Sequence, residues 1–140
     1  MTKLYIDCEW NSYKGALISM ALVSEDGSEW YEEILLEADA HYASWVVDNV
    51  VPHLHKKPLS RAEMQESLEI FLSKYADATI IADWPEDIER FCELLITGPG
   101  EKIKTPKLSM RIEPIEAYSK VPHYALEDAR GLAVLLKKRI

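Results

Sequence analysis

Apolar residues come in short runs near the start of the chain and in helical stripes further along. Leu4-Tyr5-Ile6 ends in Asp7-Cys8-Glu9, and Gly15 to Val23 is a second apolar run. Ser24-Glu25-Asp26-Gly27 carries turn chemistry, after which Trp30, Tyr31, Ile34 and Leu35 restore a strand-like pattern over Glu29 to Leu36. Turn residues between such runs predict three strands joined by hairpins. From Ser44, positions Trp45, Val46, Asn49, Val50 and Leu54 recur at helix-like intervals, and Pro52 is placed to end or kink the segment.

Ser60-Arg61-Ala62-Glu63 has the form of a capping box, and Met64, Leu68, Phe71, Leu72 and Tyr75 form a helical stripe behind it, which predicts a helix over 60–75. Ala78 to Ala82 reads as a buried strand, and Pro85 is placed to open a helix with Ile88, Phe91, Leu94 and Leu95 on one face. Gly98-Pro99-Gly100 closes it, and three prolines between 101 and 122 predict a loop with one short strand at Lys107-Leu108-Ser109-Met110. Tyr124 to Lys138 carries a last stripe, Ala125, Leu126, Ala129, Leu132, Ala133 and Leu136, with cationic residues at its C-terminal end. Strands first, then helices alternating with strands, predict one α/β domain over 1–140 with a mixed central sheet flanked by helices.

Composition narrows what such a domain does. With 140 residues and 48% of them hydrophobic, the chain has material for one core. No apolar run approaches the roughly 20 residues that cross a bilayer, and Met1-Thr2-Lys3 runs straight into the first strand without a signal-peptide pattern. The expectation is a cytoplasmic protein with no membrane contact, in which Cys8 and Cys92 are free thiols. A formal net charge of −8 argues against a basic surface gripping long nucleic acid, so any such contact is local.

Three clusters of acids stand out. Residues two apart on a strand share a face, so Asp7 and Glu9 project together from the end of the first strand. Asp83 is placed to cap the next helix, and Asp87, one turn in, lies on the face of Phe91. Asp128 is flanked by Ala125, Ala129 and Leu132, small or apolar neighbours that let its helix approach the sheet, with His123 at the helix start. Taken singly, the first two clusters fit solvated acids at a strand end and in a first helical turn better than a site.

Together the three segments resemble the motifs of the DEDDh family, the DnaQ-like 3′-5′ exonucleases of the RNase H-like superfamily. Asp7-x-Glu9 matches the first motif, Asp87 followed by Phe91 and Leu95 the second, and His123-x-Ala-x-x-Asp128 the third and most specific. Many members carry asparagine four residues before the second-motif aspartate, where Asp83 stands here; its apolar helix context favours Asp87 as the ligand. Ser44 to Leu54 and Leu17-Ile18-Ser19 are further similar to the small, RNase T-like 3′-exoribonucleases of the polyadenylate-specific type.

The resemblance implies an RNase H-like fold and removal of nucleoside 5′-monophosphates from the 3′ end of single-stranded RNA, with single-stranded DNA as the alternative substrate and a non-catalytic binding module as a remoter one. It implies two divalent ions, Mg²⁺ or Mn²⁺, bridged by Asp7, with Glu9 and Asp128 on the water-activating ion and Asp87 supporting the other. His123 is then the general base, Trp10 contacts substrate, and the protein is a homodimer. Lys102, Lys104, Lys107, Arg111 and Lys120 are candidate guides for the strand, and Tyr13 is a candidate stacking residue. Trp45 and Trp84 read as core.

Overall fold

The computed structural model describes residues 2–37, 41–114 and 122–137. Strands β1 (Thr2–Trp10), β2 (Leu17–Ser24) and β3 (Glu29–Glu33) form the expected antiparallel meander. The turn between β2 and β3 is closed by Gly27 at φ +93° and by the Ser28 N–H donating to Asp26 Oδ1 at 2.9 Å. Helix α1 (Ser44–Asn49) gives way to a 3-10 turn at Val51–His53 that contains Pro52. Helix α2 (Arg61–Leu72) starts at a complete capping box: the Glu63 N–H donates to Ser60 Oγ at 3.1 Å, and the Ser60 N–H to Glu63 Oε1 at 2.9 Å.

Strand β4 (Asp77–Ala82) follows, then helix α3 (Pro85–Leu95), a small hairpin of β5 (Ile96–Gly98) and β6 (Glu101–Lys102), strand β7 (Lys107–Ile112) and helix α4 (Ala125–Lys137). Two expectations change here. Asp83 does not cap α3: Trp84 is the N-cap residue, and no side chain satisfies that end. The short strand expected in the proline-rich loop is six residues long and joins the main sheet, parallel to β4.

The main sheet has the order β3-β2-β1-β4-β7, antiparallel between β1, β2 and β3 and parallel from β1 through β4 to β7. Period-two alternation then assigns the two faces of β1. Leu4, Ile6 and Cys8 enter the large cluster with Met64, Leu68, Phe71, Phe91 and Leu94 of α2 and α3. Tyr5 faces the other way, onto Leu132 and Leu136 of α4 with Ile81 of β4. At roughly 25 cal/mol per Å² of apolar area, these two layers are the main stabilising term of the fold. Among the described residues no helix is long and apolar enough to cross a membrane.

Candidate functional site

Strand β1 delivers Asp7 and Glu9 to the α4 face of the sheet, because they continue the alternation that begins with Tyr5. The neighbouring parallel strand delivers a third acid to the same end. Tyr5 pairs with Ile81, and each is followed two residues later by an aspartate, Asp7 on β1 and Asp83 just past β4. Ligand sites in open α/β sheets gather at such carboxyl ends of parallel strands.

Helix α3 brings Asp87, which is 2% exposed and accepts the Cys8 N–H on Oδ1 at 2.9 Å. Helix α4 brings Asp128. It approaches closely because Ala125 and Ala129 pack onto Ala21, the residue paired with Asp7 across β1 and β2. Arg130 fastens the helix from the outside, with Nε 2.5 Å and a terminal nitrogen 2.7 Å from the Glu29 carboxylate at the start of β3.

The result is two carboxylate triads that share a corner. Ligand oxygens of Asp7, Glu9 and Asp128 lie within 4.8 Å of one another, and so do those of Asp7, Asp83 and Asp87. Asp7 Oδ2 is sealed from solvent and has no hydrogen-bond partner among the described residues. None of the ion pairs formed among the described residues includes any of these five carboxylates.

The electrostatics follow from that geometry. Burial, and after it the charges of Asp87, Glu9, Asp128 and Asp83, hold the Asp7 carboxyl well above its ordinary value. Glu9 is pushed up to about 9 by burial, by the Asp128 charge and by a hydrogen bond shared with Asp128. Asp87 is pushed up to about 8, chiefly by burial; the Cys8 N–H opposes the shift, while Asp83, Glu86 and Asp128 add to it. Burial also raises Asp83. Five oxygen donors facing one another without a counter-charge either hold protons or hold cations. Hard carboxylate oxygens suit divalent ions of the Mg²⁺ or Mn²⁺ kind, and Asp7, the residue common to both triads, is the one that carries the orphaned oxygen.

Every acid expected from the sequence is therefore in the cluster, and Asp83 joins it together with Asp87. Both lie in one triad with Asp7. The sequence held one half of the signal for Asp83, an acid directly after a buried strand; the other half is the β1–β4 register.

His123 adjoins the cluster. Its backbone N–H donates to Asp128 Oδ2 at 3.1 Å. Trp10 packs against the core cluster with the Arg90 guanidinium 5.7 Å from its ring centroid, so it is held as part of the packing rather than standing free. The tryptophans read as core are not core: Trp45 is 54% exposed and Trp84 57%. Each sits at a helix start whose apolar stripe is carried by other residues, Val46 and Val50 in one case and Phe91 and Leu94 in the other. Tyr13 is exposed. Of the candidate guiding cations, Lys102 is bonded to Thr105 Oγ1 and Arg111 to Glu113, Lys104 and Lys107 are exposed, and Lys120 lies outside the described residues.

Compared with protein-family models the chain matches no family, and no curated protein matches it closely enough to count as a relative.

Proposed function

We propose that this protein is a metal-dependent 3′-5′ exonuclease of RNase H-like fold that removes nucleoside 5′-monophosphates from single-stranded RNA. The observation that carries this reading is the buried Asp7 oxygen, without a partner, at the corner shared by two carboxylate triads. The strand order, with β2 running against β1 and with β1, β4 and β7 parallel, agrees with such a fold.

In this reading Asp7 binds on both sides, Glu9 and Asp128 complete one ligand set, and Asp83 and Asp87 complete the other. Divalent cations held by these carboxylates would supply the charge that neutralises the scissile phosphate and acidifies the attacking water. His123 takes the proton of that water; an imidazole titrates in the range this requires. The Asp87 carboxylate is oriented by the Cys8 N–H, which leaves its second oxygen for the site. Nucleic acid as substrate is compatible with the charge of −8 because the site itself, once loaded with cations, answers the phosphates. A reducing compartment such as the cytoplasm suits the two free cysteines, and the reading includes a homodimer, for which light scattering at micromolar concentration is the check.

The test uses end-labelled RNA and DNA oligomers of equal sequence, with and without Mn²⁺, beside a circular RNA. The expected result is metal-dependent release of single nucleotides from the 3′ end, faster on RNA. Cleavage of the circle overturns the exonuclease reading, faster loss of DNA overturns the RNA preference, and inertness on every substrate with metal bound leaves a binding module.

A further inference from the structure

His123 has φ +68°, in the left-handed region that a residue with a Cβ occupies only when its surroundings keep it there. One contact that does so is the bond to Asp128 described above. The other is the ring of Trp45, packed against the imidazole edge to face, with centroids 4.8 Å apart and planes at 81°. Because that indole is more than half exposed, desolvation explains little of its position. Something else fixes it.

Helix α1, which carries Trp45, has six residues and no side-chain cap, too little to be stable by itself. Its place comes from two anchors. Val46 and Val50 are buried against Ile18 of β2. At the N-terminal end, the Asn11 side chain accepts the Ala43 N–H at 2.8 Å and donates to the His41 carbonyl at 2.8 Å. Asn11 directly follows β1, the strand that bears Asp7 and Glu9, and it is held in turn by its own N–H on the Ala16 carbonyl at 2.8 Å. The loop tolerates only glycine at its close approach, since a Cβ on Gly15 would lie 1.6 Å from the Asn11 carbonyl oxygen. A continuous path of contacts thus runs from the strand bearing two of the acids, through Asn11 and the start of α1, to the imidazole.

We infer that Trp45 is a positioning residue for His123, its indole anchored through Asn11 to β1 and holding the imidazole of the residue whose backbone N–H meets Asp128. The catalytic consequence rests on the exonuclease reading; the contact does not. A general base acts only within hydrogen-bond reach of its proton, so an imidazole released from the indole spends less time in place, and turnover falls while substrate binding does not.

Two measurements test this. In metal-free protein, NMR of the His123 ring protons, assigned against H123Q, is expected to show displacement by the indole ring current, lost in W45A, reduced in N11A and partly kept in W45F. On single-stranded RNA with Mn²⁺, W45A is expected to lower kcat by about 10-fold or more with KM within about two-fold, and W45F to recover most of that loss. In an H123A background the same W45A change is expected to cost less than about two-fold, because the two residues act as one unit. Unmoved His123 resonances in W45A overturn the brace. Multiplicative losses in the double variant, or a raised KM with kcat unchanged, overturn the positioning role and make Trp45 a stacking surface for the substrate. A wild-type protein without nuclease activity overturns the exonuclease reading and the catalytic role together, while the NMR result still decides the contact.

Discussion

Replacing Glu9 by glutamine removes a titratable carboxyl beside Asp7 and leaves its shape and a donor for Asp128 in place. Glu9 is raised on folding from 4.5 to about 9. A raised carboxyl means that the folded state keeps a proton which the unfolded chain gives up. Below pH 4.5 both states are protonated and the charge costs nothing; above it the penalty grows by about 1.4 kcal/mol per pH unit and levels off near pH 9. At pH 7 this comes to about 3 kcal/mol, an upper figure because the neighbouring acids share the repulsion. E9Q, which does not titrate, is therefore expected to gain on wild type as pH rises, by up to about 3 kcal/mol at pH 7, on the order of 10 °C in Tm for a chain of this size. Urea denaturation of both proteins in chelator, at intervals from pH 4.5 to 8.5, measures it. Saturating Mn²⁺ is expected to reverse the order, since wild type keeps the full ligand set. The slope with pH carries the reasoning, because any cost of burying the amide is the same at every pH. A stability difference that does not change with pH in the absence of metal refutes it.

D7A and D128A are expected to abolish nuclease activity while the metal-free proteins stay folded with a Tm at or above wild type; circular dichroism melts beside the oligomer assay check this, and loss of activity through unfolding counts against the site. H123A is expected to lower turnover by roughly 10² to 10⁴ with Mn²⁺ affinity nearly unchanged, read by calorimetric titration; a parallel fall in affinity makes His123 a ligand. Glu33 presents a different case: it is buried and accepts the Tyr31 hydroxyl at 2.6 Å and the N–H groups of His55 at 3.0 Å and Lys56 at 3.2 Å. E33A strands those donors and is expected to cost about 3 kcal/mol at pH 7, measured by urea denaturation; a cost under about 0.5 kcal/mol would mean that water replaces the carboxylate freely.

Much of this molecule is legible in its sequence. The capping box at Ser60, the hairpin turn at Gly27 and the helix opening at Pro85 depend on residues within a few positions of one another, and local chemistry decided them. The same holds for Asp7 and Glu9 sharing a face, since the alternation of a strand belongs to the strand alone.

Periodicity says which side of an element is apolar, but not what covers it or how neighbouring elements are aligned. The sequence marked the start of α1 as helical, yet the exposure of Trp45 followed only from Val46 and Val50 taking the buried side against Ile18. The sequence showed an acid after a buried strand, yet Asp83 entered the site through the pairing of Tyr5 with Ile81, a register between residues far apart in the chain. The approach of α4 was foreshadowed by its alanines, but the partner that receives them, Ala21, belongs to the sheet. Tertiary structure alone left Asp7 Oδ2 without a partner, because an atom's solvation depends on everything packed around it and not on the residues beside it in the chain.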